Sequence, residues 1–245
     1  MSLVSASGFI GGIKEYTYRG IQQLPLILTA TSLIFTLTTG SVVHANLTAG
    51  LAIIMPMYTM LMQLVLGFLM NRIYPAEISW TRATGDTCDL VPGHDQGKLK
   101  KFAMYDSSLV DKTAVPSYWL MSVGFFVGYA ISNAIESLTM PAQPSANEDN
   151  HEKRHTHAIF IIIATLVFSV IILGVRLRYM GSCEGRGRLG LGLSILSATG
   201  AIGIGYGMYS LSKVCGARSS DLFGILSQIL PASATSISPI VCSSS

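Results

Sequence analysis

Five long, predominantly apolar stretches divide this chain: Leu24 to Val43, Leu47 to Met70, Val115 to about Ser137, His157 to Val175 and Leu189 to Ser212. About 20 apolar residues carry a helix across a hydrocarbon core roughly 30 Å thick. In that medium the backbone must satisfy its own polar groups, which leaves helices and closed barrels. Runs of this length specify helices. Only 12% of the residues are charged, against about 25% in a typical soluble domain. The mean hydropathy is +0.51, and the charges gather in the intervals between runs. The fold class expected is all-α, a polytopic transmembrane helix bundle of about five spans.

The intervals set the organisation. Residues 1–23 form an N-terminal segment whose Lys14, Glu15 and Arg19 follow a short mixed stretch and precede no signal-type apolar region, so the first span is expected as a retained anchor. Residues 24–70 read as a transmembrane helical hairpin turning at His44, Ala45 and Asn46. A polar loop follows at 71–114. Residues 115–212 hold three further spans, with polar loops at 138–156 and 176–188, and a tail occupies 213–245. Pro116 is expected at a first-turn position, where its missing N–H costs nothing, with Tyr118 and Trp119 at headgroup depth.

Basic residues fix an expected orientation, because Lys and Arg remain on the cytosolic side during insertion. Lys14, Arg19, Arg72, Arg82, Lys98, Lys100, Lys101, Lys112, Arg176, Arg178, Arg186 and Arg188 fall on one face of a five-span chain. Only Lys153, Arg154, Lys213 and Arg218 fall on the other. The N-terminus and the 71–114 loop are therefore expected in the cytosol and the tail opposite, unless the fifth segment is re-entrant. Lys98, Lys100, Lys101, Arg176, Arg178, Arg186 and Arg188 are candidates for contact with a protein partner or lipid headgroups. The 71–114 loop balances six basic residues with Glu77, Asp86, Asp89, Asp95, Asp106 and Asp111, so no nucleic-acid partner is expected.

Chemistry-bearing groups are sparse. Ionisable residues at membrane depth mark transport paths, and only Glu136, at the end of the third span, comes near one; Gln63 and Asn133 read as interhelical hydrogen-bonding groups. Gly185, Gly187 and Gly190 have dinucleotide-type spacing but follow a membrane span, not a strand. His151, His155 and His157 lie near Asp149 and Glu152 without a supporting cysteine pair. No catalytic residue, cofactor or metal site is expected. Cys215 and Cys242 share the non-cytosolic face and form a possible disulfide in an oxidising compartment. Asn46 opens an N-x-T sequon too close to the bilayer for modification. In the tail, Leu222, Ile225, Leu226, Ile229 and Leu230 recur at helical spacing behind Ser219 and Ser220, and Pro231 stops the pattern.

Small residues give the clearest positive signal, since helices in lipid associate by close backbone approach. Gly124, Gly128 and Ser132 line one face of the third span. Gly203 and Gly207 form a G-x-x-x-G in the fifth, beside a parallel row of Ser197, Ala201 and Gly205. These rows are expected to pack the spans together or to join copies in a homo-oligomer.

The segment Lys112 to Ala134, KTAVPSYWLMSVGFFVGYAISNA, resembles multi-pass membrane proteins of nucleocytoplasmic large DNA viruses. The resemblance covers roughly a tenth of the chain and carries over no functional residue. It implies residence in a virion inner membrane or the host endoplasmic reticulum, with cytosolic loops facing capsid proteins. The functional expectation is a non-enzymatic structural membrane protein that anchors or organises a larger assembly, its partners being the bilayer and other membrane or capsid proteins. An accessory subunit of an organellar complex and a passive channel or permease, lined by Gln63, Asn133, Thr199 and Tyr206, are the alternatives.

Overall fold

The computed structural model describes residues 17, 20–73, 116–139, 148–180, 187–215 and 222. Among these the secondary structure is entirely helical. Helix α1 is Leu24–Thr39. Helix α2 is continuous through Val42–Ala49, a π-helical turn at Gly50–Ile54, and Met55–Ile73. Then come α3 (Tyr118–Thr139), α4 (Glu148–Met180) and α5 (Gly187–Val214). Four helices are long and apolar enough to cross a membrane, within Val42–Leu69, Tyr118–Thr139, His155–Arg178 and Gly190–Val214. The 16 residues of α1 rise only about 24 Å, so α1 is a shorter apolar helix beside them.

Several boundaries differ from the sequence reading. The turn between the first two apolar runs falls at Gly40, not at His44 to Asn46. Gly40 adopts φ 63° and its N–H bonds the Thr36 carbonyl, the left-handed helix stop that glycine favours. His44, Ala45 and Asn46 consequently lie inside α2. Helix α3 begins one residue after Ser117, whose hydroxyl accepts the Leu120 N–H at 3.2 Å, so Pro116 precedes the cap. Helix α4 starts at Glu148, well inside the expected polar loop, and runs on to Met180. Acidic Glu148 and Asp149 followed by basic Lys153 and Arg154 is the charge order that a helix N-terminus favours.

Side-chain contacts give the helix directions. Tyr129 reaches the Val43 carbonyl and Gln63 reaches the Pro116 carbonyl, so α2 and α3 are antiparallel. Gly124 faces Ala198 and Ala201, Asn133 reaches Tyr209, and Glu136 reaches Lys213. Helices α3 and α5 are therefore parallel. Helix α4, which connects them in sequence, runs back along α3 and brings Arg176 over the Trp119 ring, 4.4 Å from its centroid.

Helix α3 is the centre: Trp119, Met121, Phe125, Tyr129 and Ala130 are buried, packed with Val43, Leu47, Leu51 and Met55 of α2, Ile172 of α4, and Ala201 and Tyr209 of α5. Leu37, Leu64, Phe68, Phe160 and Val170 instead point outward, as side chains that meet lipid must.

Candidate functional site

Polar side chains converge at the end of the bundle where α2 starts and α3 and α5 finish. The Tyr129 hydroxyl donates to the Val43 carbonyl at 2.7 Å and lies 3.0 Å from Ser212 Oγ. Asn46 Nδ2 donates to the same Ser212 Oγ at 2.8 Å. One hydroxyl pair thus ties α2, α3 and α5. Further along, Asn133 Nδ2 donates to the Tyr209 hydroxyl at 3.1 Å, and that hydroxyl donates in a short bond to Glu136 Oε2. Glu136 Oε1 meets Lys213 Nζ at 2.7 Å. The Tyr129 and Tyr209 rings pack edge to face at 5.4 Å. The result is a polar seam linking Asn46 through to Lys213.

His44 joins this end from α2. It is 2% exposed, stacks on Phe35 with centroids 5.3 Å apart, and sets Nε2 2.9 Å from the Leu222 carbonyl oxygen. Next to it, Thr48 Oγ1 donates to Ser32 Oγ at 3.0 Å and lies 3.3 Å from Thr36 Oγ1. These hydroxyls fasten α1 to α2. The sequence marked His44 and Asn46 as turn residues; their interior roles follow once the turn moves to Gly40.

Backbone approach dominates the rest of the interface. A Cβ on Gly128 would collide with the Ile202 carbonyl, and one on Gly205 with the Phe125 carbonyl. A Cβ on Gly124 would stand 3.0 Å from the Ala198 oxygen and 3.6 Å from Ala201 Cβ. Ser132 is buried on the same helix and bonds its own Gly128 carbonyl. The row Ser197, Ala201 and Gly205 is the buried one on α5, with Ala201 against Gly124 and Gly205 against the Phe125 backbone. Gly203 and Gly207 pack no helix of this bundle: a Cβ on either would meet nothing within 4 Å, because successive rows of a helix point in different directions and theirs points outward, which leaves of the two expectations only contact with another copy.

The π turn of α2 serves the same packing. Gly50 lies against the Phe125 ring with no room for a Cβ. The Leu51 carbonyl accepts the Tyr118 hydroxyl at 2.9 Å, consistent with the carbonyls that a π turn leaves free of the regular ladder. Tyr58 reaches the Ser197 carbonyl at 3.1 Å.

At the opposite end, Trp119 Nε1 donates to the Ile21 carbonyl at 2.6 Å. Arg176, expected at a lipid or partner surface, is 2% exposed under that Trp119 ring; the flat guanidinium buries well on an aromatic face. Arg178 is exposed near the end of α4. The side chains of Lys98, Lys100, Lys101, Arg186 and Arg188 lie outside the described residues. Cys215 is exposed at the end of α5, and Cys242 also lies outside. Thr199 and Tyr206 face outward, whereas Gln63 and Asn133 bond inside at opposite ends of the bundle.

No protein-family model matches this chain, and no curated protein or solved structure shows a significant similarity to it.

Proposed function

We propose that this chain is a non-enzymatic structural protein of a membrane, a rigid bundle that anchors or organises a larger assembly. The observation that carries the reading is where the polar groups of the spans go. Gln63 bonds the Pro116 carbonyl, Asn133 bonds Tyr209, Asn46 bonds Ser212, and Glu136 bonds both Tyr209 and Lys213. Such groups are costly in hydrocarbon, and here they fasten helix to helix. That distribution favours a closed bundle over a conducting one.

In this reading the basic end is cytosolic and the 71–114 loop is the docking surface. Arg178 and the lysines Lys98, Lys100 and Lys101 make the first contacts. The viral version, a membrane protein under a capsid, rests on the resemblance at Lys112 to Ala134 alone; an organellar accessory subunit is the version without it. Purification from the native source in mild detergent, followed by mass spectrometry, tests the proposal. Stoichiometric partners that are lost on deleting Asp86 to Lys101, with insertion intact, are the expected result. Partners that persist through the deletion overturn the docking surface, and a partner-free homo-oligomer with ion flux in liposomes overturns the structural reading itself.

A further inference from the structure

Helix α4 gives regular backbone to a stretch that the sequence presents as polar loop. It starts at Glu148, whereas the apolar span within it starts only at His155. Residues 148–154, about 10 Å of helix at 1.5 Å per residue, therefore precede the apolar part. Arg176, near the other end of α4, lies over Trp119 at the start of α3, so this first part of α4 stands at the end of the bundle where α3 finishes.

The helix gives the spacing of its residues a geometry. From Glu148 the chain reads EDNHEKRH. In a loop a separation of four residues fixes nothing, but in a helix it is one turn, and positions 148, 151, 152 and 155 fall within about 100° of the circumference. Two histidines and two glutamates share that face. Asp149, Asn150, Lys153 and Arg154 fall outside the arc, and His157, half-buried, is on the other side of the helix. His155 itself is exposed.

His151 and His155 are one turn apart with Glu152 after the first, the order H-E-x-x-H. On a helix this order sets two imidazoles on one cation and a carboxylate beside it. Imidazole and carboxylate donors suit Zn²⁺. A hydrolytic centre needs a third protein ligand besides the two imidazoles; what this helix supplies by itself is a chelate.

We propose that the His151 and His155 face at the start of α4 binds a divalent cation of the zinc type. Both imidazoles are ligands, Glu152 holds water on the metal, and Glu148 adds negative charge one turn earlier. The site lies at the opposite end of the bundle from the α2 to α3 connection, so it is separate from the docking surface at 71–114 and does not depend on it.

The test uses the full-length chain in mild detergent, purified on a tag without histidine, with Cys88, Cys183, Cys215 and Cys242 changed to serine so that no thiolate competes. Metal-free protein is dialysed against graded Zn²⁺ at about pH 7.5 and the bound metal is measured by elemental mass spectrometry. Saturable binding of about one Zn²⁺ per chain is expected. His151→Gln and His155→Gln are each expected to lower affinity more than about tenfold, the least that loss of even an outer-shell partner typically costs. His157→Gln is expected to change nothing. One alanine inserted between Lys153 and Arg154 keeps every donor but sets the two histidines about 140° apart, and the same loss is expected. Unfolding by SDS titration, unchanged in each variant, shows that the bundle is intact. No saturable Zn²⁺ in the parent chain overturns the proposal, as does binding that survives either histidine substitution or the insertion, or that is lost with His157→Gln.

Discussion

Tyr129 concentrates several structural roles in one side chain, since its hydroxyl meets both the Val43 carbonyl and Ser212 Oγ while its ring lies between Phe125 and Tyr209. Tyr129→Phe removes only the oxygen and leaves the ring packing intact. The Val43 carbonyl and the Asn46–Ser212 pair then lose a common partner inside the bundle. Interhelical hydrogen bonds in membranes are worth about 0.6 kcal/mol on average, and a buried group left unbonded costs about 1–3 kcal/mol. The expected loss is about 1–2 kcal/mol, read from unfolding by SDS titration in mixed micelles. Tyr206→Phe is the control: its ring is 61% exposed, and the same titration is expected to move by less than about 0.5 kcal/mol, the usual range for surface changes. Equal effects at the two tyrosines would mean that the seam at Tyr129 adds nothing to stability. None of this pairing was readable in the chain itself, because it joins residues 43, 46, 129 and 212 across three helices.

Helices α3 and α5 meet through backbone, and that contact sets how close the central pair can come. Gly128→Ala and Gly205→Ala each drive a methyl group into a carbonyl of the facing helix, so the pair must separate. Overpacking of this kind typically costs about 1–3 kcal/mol. Each variant is expected to fall in that range by SDS titration, whereas Gly203→Ala and Gly207→Ala add their methyl groups to open space and are expected to leave stability unchanged. The small-residue pattern exposed the helix pair and both rows of α5 in the sequence, but not which of the two meets α3. Gly203 with Gly207 and Ser197 with Ala201 and Gly205 repeat equally well, and periodicity says nothing about which row a neighbour occupies. Helix ends behaved similarly. Apolar length located the four helices long enough to cross a membrane and the shorter α1, yet His44, Ala45 and Asn46 outweighed Gly40 as a turn signal, although glycine after a helix is the stronger physical stop. The start of α4 at Glu148 was hidden because helical backbone continues past the bilayer wherever its residues permit, and hydropathy marks only the lipid-embedded part.

For the molecule as a whole, the packing makes a strict statement about sidedness. Helix α5 runs parallel to α3 along its second half, from Gly124 opposite Ala198 to Glu136 beside Lys213, so its end, with exposed Cys215, lies at the His44 end with the finish of α3. Its 28 residues rise about 42 Å, more than the roughly 30 Å hydrocarbon core. A re-entrant α5 would have to abandon this shared length. Native cysteines provide the readout without new sequence: Cys88 lies in the 71–114 loop and Cys183 between α4 and α5, while Cys215 follows α5. In sealed vesicles of one orientation, under reducing conditions, an impermeant maleimide applied outside is expected to label either Cys215 alone of these three, or Cys88 and Cys183 without it. Opening the membrane with detergent then completes the set. The alternative, Cys183 and Cys215 labelled from the same side of an intact vesicle, would mean that α5 does not cross. The partner surface proposed above depends on the 71–114 loop and the segment between α4 and α5 sharing one face, which α3 and α4 alone decide, so that outcome would leave the surface whole and bring only the Cys215 end to its side.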